Sequence, residues 1–213
     1  MTPEELAAKH PYLYHITEPG AWLSIKQNGL LSTSSLLELF EIKGMERTLI
    51  ETKRRSSSVP LDHPSQGRVI LNDNVPLNEQ ALRKCLDDDL TPEDWLRMLN
   101  SRIFFWPCKE ALNRLLNARL NHNRMREVIV VDTLSLAKVH AECIEFCPIN
   151  SGATMRKSAR RGLNTFTPML KYSFREWSQL RGRHDQIREV TVRDKIRDIA
   201  QHMVDVFLTR GAV

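Results

Sequence analysis

Glu127-Val128-Ile129-Val130-Val131 is the clearest buried strand in the chain. Four consecutive β-branched residues favour a pleated backbone and leave no polar face for water. Working outward, Ile103-Phe104-Phe105-Trp106 is a second strand-forming run, closed by Pro107. Leu13-Tyr14-His15-Ile16, Val69-Ile70-Leu71 and Ile187–Val192 are shorter runs of the same kind. Between them lie helix signals. Thr2-Pro3 with Glu5 and Thr91-Pro92 with Asp94 are helix starts, the second with a capping-box pattern. Ala21, Trp22, Ile25 and Lys26 fall at helical spacing before an Asn28-Gly29 stop. Ser32–Ser34 cap a helix carrying Leu36, Leu37, Leu39 and Phe40, and Gly44 interrupts it. Further helices are expected over Arg47–Arg54, Glu79–Leu86, Lys109–Leu120, Thr133–His140, Lys171–Leu180 and, closing the chain, Arg193–Leu208. Ser56–Gln66 and Ile149–Pro168 are expected as loops. Short strands, with helices gathered toward the N-terminal half, predict an α+β fold of short-stranded mixed or antiparallel sheets with an N-terminal helical region.

The 213 residues, 41% hydrophobic, suffice for one domain spanning 1–213 with a real core. No apolar run approaches the roughly 20 residues needed to cross a bilayer. The N-terminus, Met1-Thr2-Pro3-Glu4-Glu5, is acidic and lacks a signal-peptide core, so a cytoplasmic protein with no membrane partner is expected. Cys85, Cys108, Cys143 and Cys147 form no CxxC, which argues against structural zinc and for reduced thiols; no metal is expected. Neither GxGxxG after a strand nor GxxxxGK[ST] occurs, which argues against a Rossmann or P-loop site.

Lys and Arg number 31 against 26 Asp and Glu. The excess matters because it clusters: Lys53-Arg54-Arg55, Arg156-Lys157, Arg160-Arg161, and Arg181 with Arg183. The first cluster is either a solvated helix end or a clamp for a pyrophosphate or nucleic-acid backbone, which suits the planar arginine fork. Arg156, Lys157, Arg160 and Arg161 lie on a loop, a position that suits contact with DNA or RNA.

Two segments carry candidate chemistry. In Tyr14-His15-Ile16-Thr17, an extended backbone projects His15 and Thr17 to one side. An imidazole beside a hydroxyl can grip a ribose diol; the alternative is a half-buried histidine at a strand edge. A histidine-triad hydrolase is excluded, since only one histidine is present there. Glu189 opens Glu189-Val190-Thr191-Val192. It is either a surface partner of Arg188 or a carboxylate aimed at a sugar, where it would stabilise oxocarbenium charge and bind the 2-hydroxyl. Phe104-Phe105-Trp106 reads as core, with one ring, assigned to Phe105, available to stack on nicotinamide.

This order resembles the DarT-type ADP-ribosyltransferases, bacterial toxin-family enzymes that modify DNA bases with NAD. The resemblance rests on His15-Ile16-Thr17, then Trp22, Leu23, Ile25 and Gly29-Leu30-Leu31-Ser32, then Ile50, Arg54, Val59, Gly67 and Val69–Leu71, and finally Glu189-Val190-Thr191-Val192 with Ile196. The chain is similar as well to bacterial proteins sharing the Tyr-His-Ile-Thr and Phe-Phe-Trp-Pro patterns. It departs from the toxins where Val75-Pro76-Leu77-Asn78 replaces an aromatic-rich segment. The resemblance implies an ADP-ribosyltransferase-like fold, NAD as substrate, release of nicotinamide, transfer to a DNA base or protein, and an antitoxin or reversing hydrolase as counterpart. It implies Glu189 as catalytic, His15 and Thr17 as binding the nicotinamide-side ribose, and Arg54 as contacting the cofactor phosphates or helping catalysis, with Arg55 as its alternate; Tyr14 and Phe105 join them as cofactor-binding candidates from the residues themselves. Two rival readings stand beside it: a non-catalytic nucleic-acid-binding module on the same fold, and an RNA phosphotransferase of related fold.

Overall fold

A computed structural model describes residues 1–119, 121, 123–154, 158–181 and 187–213, with the Arg181 side chain left aside. The N-terminal region alternates helix and strand: α1 (Pro3–Lys9), β1 (Tyr12–Thr17), α2 (Ala21–Asn28), β2 (Leu30–Leu31), α3 (Thr33–Leu39) and α4 (Gly44–Thr52). A hairpin β3 (Val59–His63) and β4 (Gly67–Leu71) follows, then α5 (Glu79–Arg83), α6 (Pro92–Asn100), β5 (Arg102–Phe105) and α7 (Lys109–Leu116). Next come β6 (Arg126–Asp132), α8 (Thr133–His140), β7 (Ile144–Cys147), β8 (Thr167–Pro168) and α9 (Phe174–Arg181). The chain closes with β9 (Glu189–Arg193), β10 (Lys195–Ile196), α10 (Ile199–His202) and β11 (Met203–Thr209).

The architecture is α+β, and the named strand pairs are antiparallel. Two sheets organise it. In the first, β6 lies between β1 and β11. Its valine-rich run is buried on both faces, as its lack of alternation requires. In the second, the order is β5-β9-β7-β8. The main core fills the space between them: Leu13, Ile129 and Val131 from the first sheet meet Ile103, Phe105, Ile144, Phe146, Val190 and Val192 from the second. The sheets also touch at one seam. Tyr14 and Trp106 exchange backbone hydrogen bonds of 3.0 and 2.9 Å, joining the middle of β1 to the end of β5.

Local chemistry sets the helix ends. Thr2 and Glu5 form a reciprocal capping box on α1, and Thr91 and Asp94 form one on α6. Glu127, on β6, accepts the Gly20 and Trp22 amides at 2.9 and 2.6 Å and so caps α2 from another element. His140 and His202 both bond the Asp198 carboxylate, tying α8 to α10.

Gly29 ends α2 at φ +84° and ψ 166°, a conformation nearly confined to glycine. A Cβ there would stand 2.7 Å from the Arg197 Cα and 2.8 Å from the Ile196 carbonyl oxygen. Both are backbone atoms and cannot swing aside. Gly29→Ala is therefore expected to lower stability by about 2 kcal/mol, read as a lower urea midpoint at unchanged slope.

Three expectations are corrected. The stretch Ser56–Gln66 is not all loop, because Val59–His63 pairs with Gly67–Leu71. Leu61 and Leu71 anchor that hairpin on Leu37, Phe40 and Ile50, a cluster that the serine- and proline-rich composition concealed. Arg193–Leu208 is not one helix. Ile196 and Ile199 are buried as expected, but from a two-residue strand and a short helix, and Met203–Thr209 is an edge strand against β6. Its β-branched and aromatic residues fit that edge, and pairing outweighs the helical spacing. The helix expected over Lys109–Leu120 ends at Leu116, and Leu120 lies outside the described residues. Among the described residues no helix is long and apolar enough to cross a membrane.

Candidate functional site

Where β1 and β5 part beyond the Tyr14–Trp106 seam, they border a cavity of about 610 Å³. That size falls within the range of small-molecule sites. His15 and Thr17 line it from β1, Phe104 and Trp106 from β5 and its end, and Glu189 from the start of β9. The histidine and the glutamate, carried on different sheets and far apart in sequence, thus open onto one hollow.

His15 Nδ1 lies 2.9 Å from the Phe104 carbonyl oxygen, which can only accept. Nδ1 must carry the proton, so the other ring nitrogen, Nε2, is an acceptor. Burial pushes the His15 pKa down, against the opposing pull of that carbonyl bond, and keeps the ring neutral at pH 7. A neutral imidazole with a fixed tautomer suits a hydroxyl.

Glu189 is 7% exposed. Its carboxylate accepts the Ser151 hydroxyl at 2.6 Å and the Ser151 amide at 3.2 and 3.3 Å. Burial pushes its pKa up to about 7, with the Ser151 bonds and the Arg161 charge pulling the other way. Cys147 faces it across the β7–β9 ladder. Burial and then the neighbouring glutamate push that thiol well above its usual value, so it stays protonated.

Arg161 holds this arrangement from behind. It is 2% exposed and donates to three carbonyls: Ser151 at 2.9 Å, Ala159 at 3.1 Å and Ala153 at 3.2 Å. Trp95 Nε1 adds a 3.3 Å bond to the Ser151 carbonyl, and the guanidinium lies 5.6 Å from the Trp95 ring. The loop carrying Ser151, and through it Glu189, is thereby fixed.

The facing wall is cationic. Arg55 lines the cavity and donates to the carbonyls of Asn72 and Ile50 and to the Asn100 side chain, each at 3.0–3.1 Å. Arg126 lines it too, bonding Glu18, the Asn72 side chain at 3.1 Å and Asn121 at 3.4 Å. Arg124 pairs with Asp73 at 3.0 Å. Among the described residues five arginines and three carboxylates line the cavity, and of the arginines Arg55 alone is in no ion pair, so the positive potential is concentrated at the Arg55 wall.

Four sequence assignments are corrected. Arg54 is exposed, bonds the Val75 carbonyl at 2.9 Å and lies outside the cavity wall; its neighbour Arg55 takes the cavity position. Tyr14 is buried against Leu112, Leu116, Val128 and Val130, because strand alternation turns it away from His15. Phe105 is wholly buried between the sheets, and the same alternation gives the cavity to Phe104 and Trp106. Arg161 is internal and cannot meet a nucleic acid. Arg160 is exposed, bound to the Asp87 carboxylate and to the Lys84 carbonyl at 3.3 Å. Arg156, Lys157 and Arg183 lie outside the described residues.

Sequence reasoning missed Ser151, Asn72 and Arg126. Ser151 gave no signal of its own within a polar stretch. Arg126 had one, standing directly before the central strand at the end of a basic Arg124-Met125-Arg126 triplet. Away from the cavity, the donor atoms of His140, Asp198 and His202 lie within 4.8 Å of one another, a ligand set that a metal could use.

No curated protein matches the chain. Residues 11–203 match a protein family described as a family of unknown function, DUF7002, and that span takes in β1 with His15, β6 and β9 with Glu189. The chain belongs to the DUF7002 family.

Proposed function

We propose that this protein is an NAD-dependent ADP-ribosyltransferase with an ADP-ribosyltransferase-like fold. The observation that carries the reading is the single cavity shared by His15, Thr17 and Glu189, with a cationic wall at Arg55 and Arg126. The neutral imidazole accepts a ribose hydroxyl at Nε2, and the Thr17 hydroxyl provides a second polar contact. Phe104 and Trp106 offer flat apolar surface for nicotinamide.

In the reaction, the bond between ribose C1′ and the nicotinamide nitrogen breaks. The electron pair leaves with nicotinamide and neutralises its positive charge. Charge develops on the ribose, and the Glu189 carboxylate stabilises it while accepting a hydrogen bond from the 2-hydroxyl. A nucleophile on a nucleic acid or protein then bonds to C1′ and gives up its proton. With a pKa of about 7, Glu189 can take that proton near neutral pH.

The test is nicotinamide release from NAD, with a thermal shift by NAD as the binding readout. His15→Ala is expected to lower kcat/KM by about 10- to 100-fold, the worth of one or two well-placed hydrogen bonds. Wild-type protein that neither releases nicotinamide nor gains melting temperature with NAD rules the reading out.

A further inference from the structure

We infer that Arg126 anchors a diphosphate in this cavity and that Glu18 occupies its place as an internal stand-in anion. The identification of the ligand as a dinucleotide rests on the reading above; the phosphate site itself rests on the geometry of one wall.

Arg126 is 5% exposed, yet it lines the cavity. Its two terminal nitrogens are taken by Glu18, Asn72 and Asn121. Among the described residues its Nε has no hydrogen-bond partner. A buried guanidinium normally uses its whole fork, so the unsatisfied Nε leaves this side chain short of one acceptor in its present setting. A dinucleotide's diphosphate supplies four non-bridging oxygens where Glu18 supplies two, so it can take the Nη1 contact that Glu18 now makes and still reach a second donor.

The surroundings match a diphosphate in particular. Asn72 joins two guanidinium groups: its side chain accepts from Arg126, and its carbonyl accepts from the Arg55 Nε at 3.0 Å. Arg55 bonds only carbonyl and amide oxygens and has no carboxylate within ion-pair distance among the described residues. Two cations therefore flank one residue, and one of them, Arg55, feels the Asp73 carboxylate only from beyond contact distance. The N-terminus of α2, a further source of positive potential, is already filled by Glu127. The anion site inferred here is therefore built on the arginine side chains.

Glu18 is the competitor. Its side chain is 29% exposed against 6% for Arg126, so it can swing toward solvent while the guanidinium stays in the wall. It directly follows Thr17 and precedes the Pro19-Gly20 turn that enters α2. Ligand entry would exchange one anion for another at the same cation.

The experiment is titration calorimetry with inorganic pyrophosphate, and with adenosine as a phosphate-free control. Glu18→Gln removes the competing charge and is expected to tighten pyrophosphate about 5- to 10-fold. Arg126→Gln is expected to weaken it about 10- to 100-fold. Neither should move adenosine. Should Arg126→Gln fail to fold, Glu18→Gln decides alone. Pyrophosphate affinity unchanged in Glu18→Gln, or no pyrophosphate binding by the wild type, overturns the inference. The two claims separate: NAD cleavage without pyrophosphate binding sinks only the anchor. The expected pyrophosphate pattern without NAD cleavage sinks only the transferase reading.

Discussion

Glu189→Gln is expected to reduce nicotinamide release by about 10³-fold while raising stability at pH 8. The two effects share one cause. The carboxyl is buried, and folding lifts its pKa from the ordinary 4.5 to about 7. A raised pKa means that the folded state favours the protonated acid. Its contribution to stability is full below pH 4.5 and is lost as pH climbs through 7. At pH 8 the fold carries an ionised carboxylate that burial disfavours by about 3 kcal/mol, the energy equivalent of that shift. Glutamine keeps the shape and can accept the Ser151 amide, but it never ionises. The difference in unfolding free energy between the variant and the wild type should therefore grow from pH 5 to pH 8. Activity should move in the opposite sense, with wild-type kcat/KM rising toward a plateau through pH 7 as the carboxylate forms. A variant that is slower but no more stable at pH 8 than at pH 5 would show that the carboxylate is not held under this tension.

The second large effect is expected at Arg161. Arg161→Leu should destabilise the protein by about 3 kcal/mol, because it removes a buried guanidinium that bonds three carbonyl oxygens, the buried Ser151 carbonyl among them. The Ser151 carbonyl retains only the longer bond from Trp95. Loss of that grip frees the Gly152–Ala153 turn and with it the hydroxyl that holds Glu189. Nicotinamide release should then fall even under conditions where the variant is still folded. Arg161→Lys keeps the charge but has a single nitrogen to offer, and should recover less than half of the lost stability in urea titrations.

Arg161 also illustrates what the sequence could convey. Its place in a basic, polar loop argued for an exposed side chain reaching a partner. The three carbonyls come from its own loop, but nothing local announces that the face of Trp95, 66 positions away, will close over it and turn it inward. Strand-borne features were more legible. The valine run at 128–131 could only be a buried strand, and it is the centre of the first sheet. The period-two rule put His15 and Thr17 on one face, and both line the cavity. The same rule, applied without knowing which face of β5 was inward, gave the cavity to Phe105 rather than to Phe104 and Trp106. Helical spacing misled at the C-terminus for a related reason. Ile196, Ile199, Met203 and Val206 satisfy a 3.6 period, but β6 had an unpaired edge that only a strand could cover. Arg54 and Arg55 were adjacent in a chain leaving a helix, and only the hairpin behind them decides which one turns toward Asn72.

The seam between Tyr14 and Trp106 has a mechanical consequence. Two hydrogen bonds, unlike a full ladder, give little resistance to twisting, so the sheets can pivot about that point while the pairings within each persist. His15 stands one residue past the pivot and is tethered by its own ring to Phe104 on the far side. A small rocking of one sheet would therefore widen or narrow the mouth of the hollow without moving the imidazole from its carbonyl. Glu189 stands on the second sheet, so the same motion would change the separation of its carboxylate from the rest of β1.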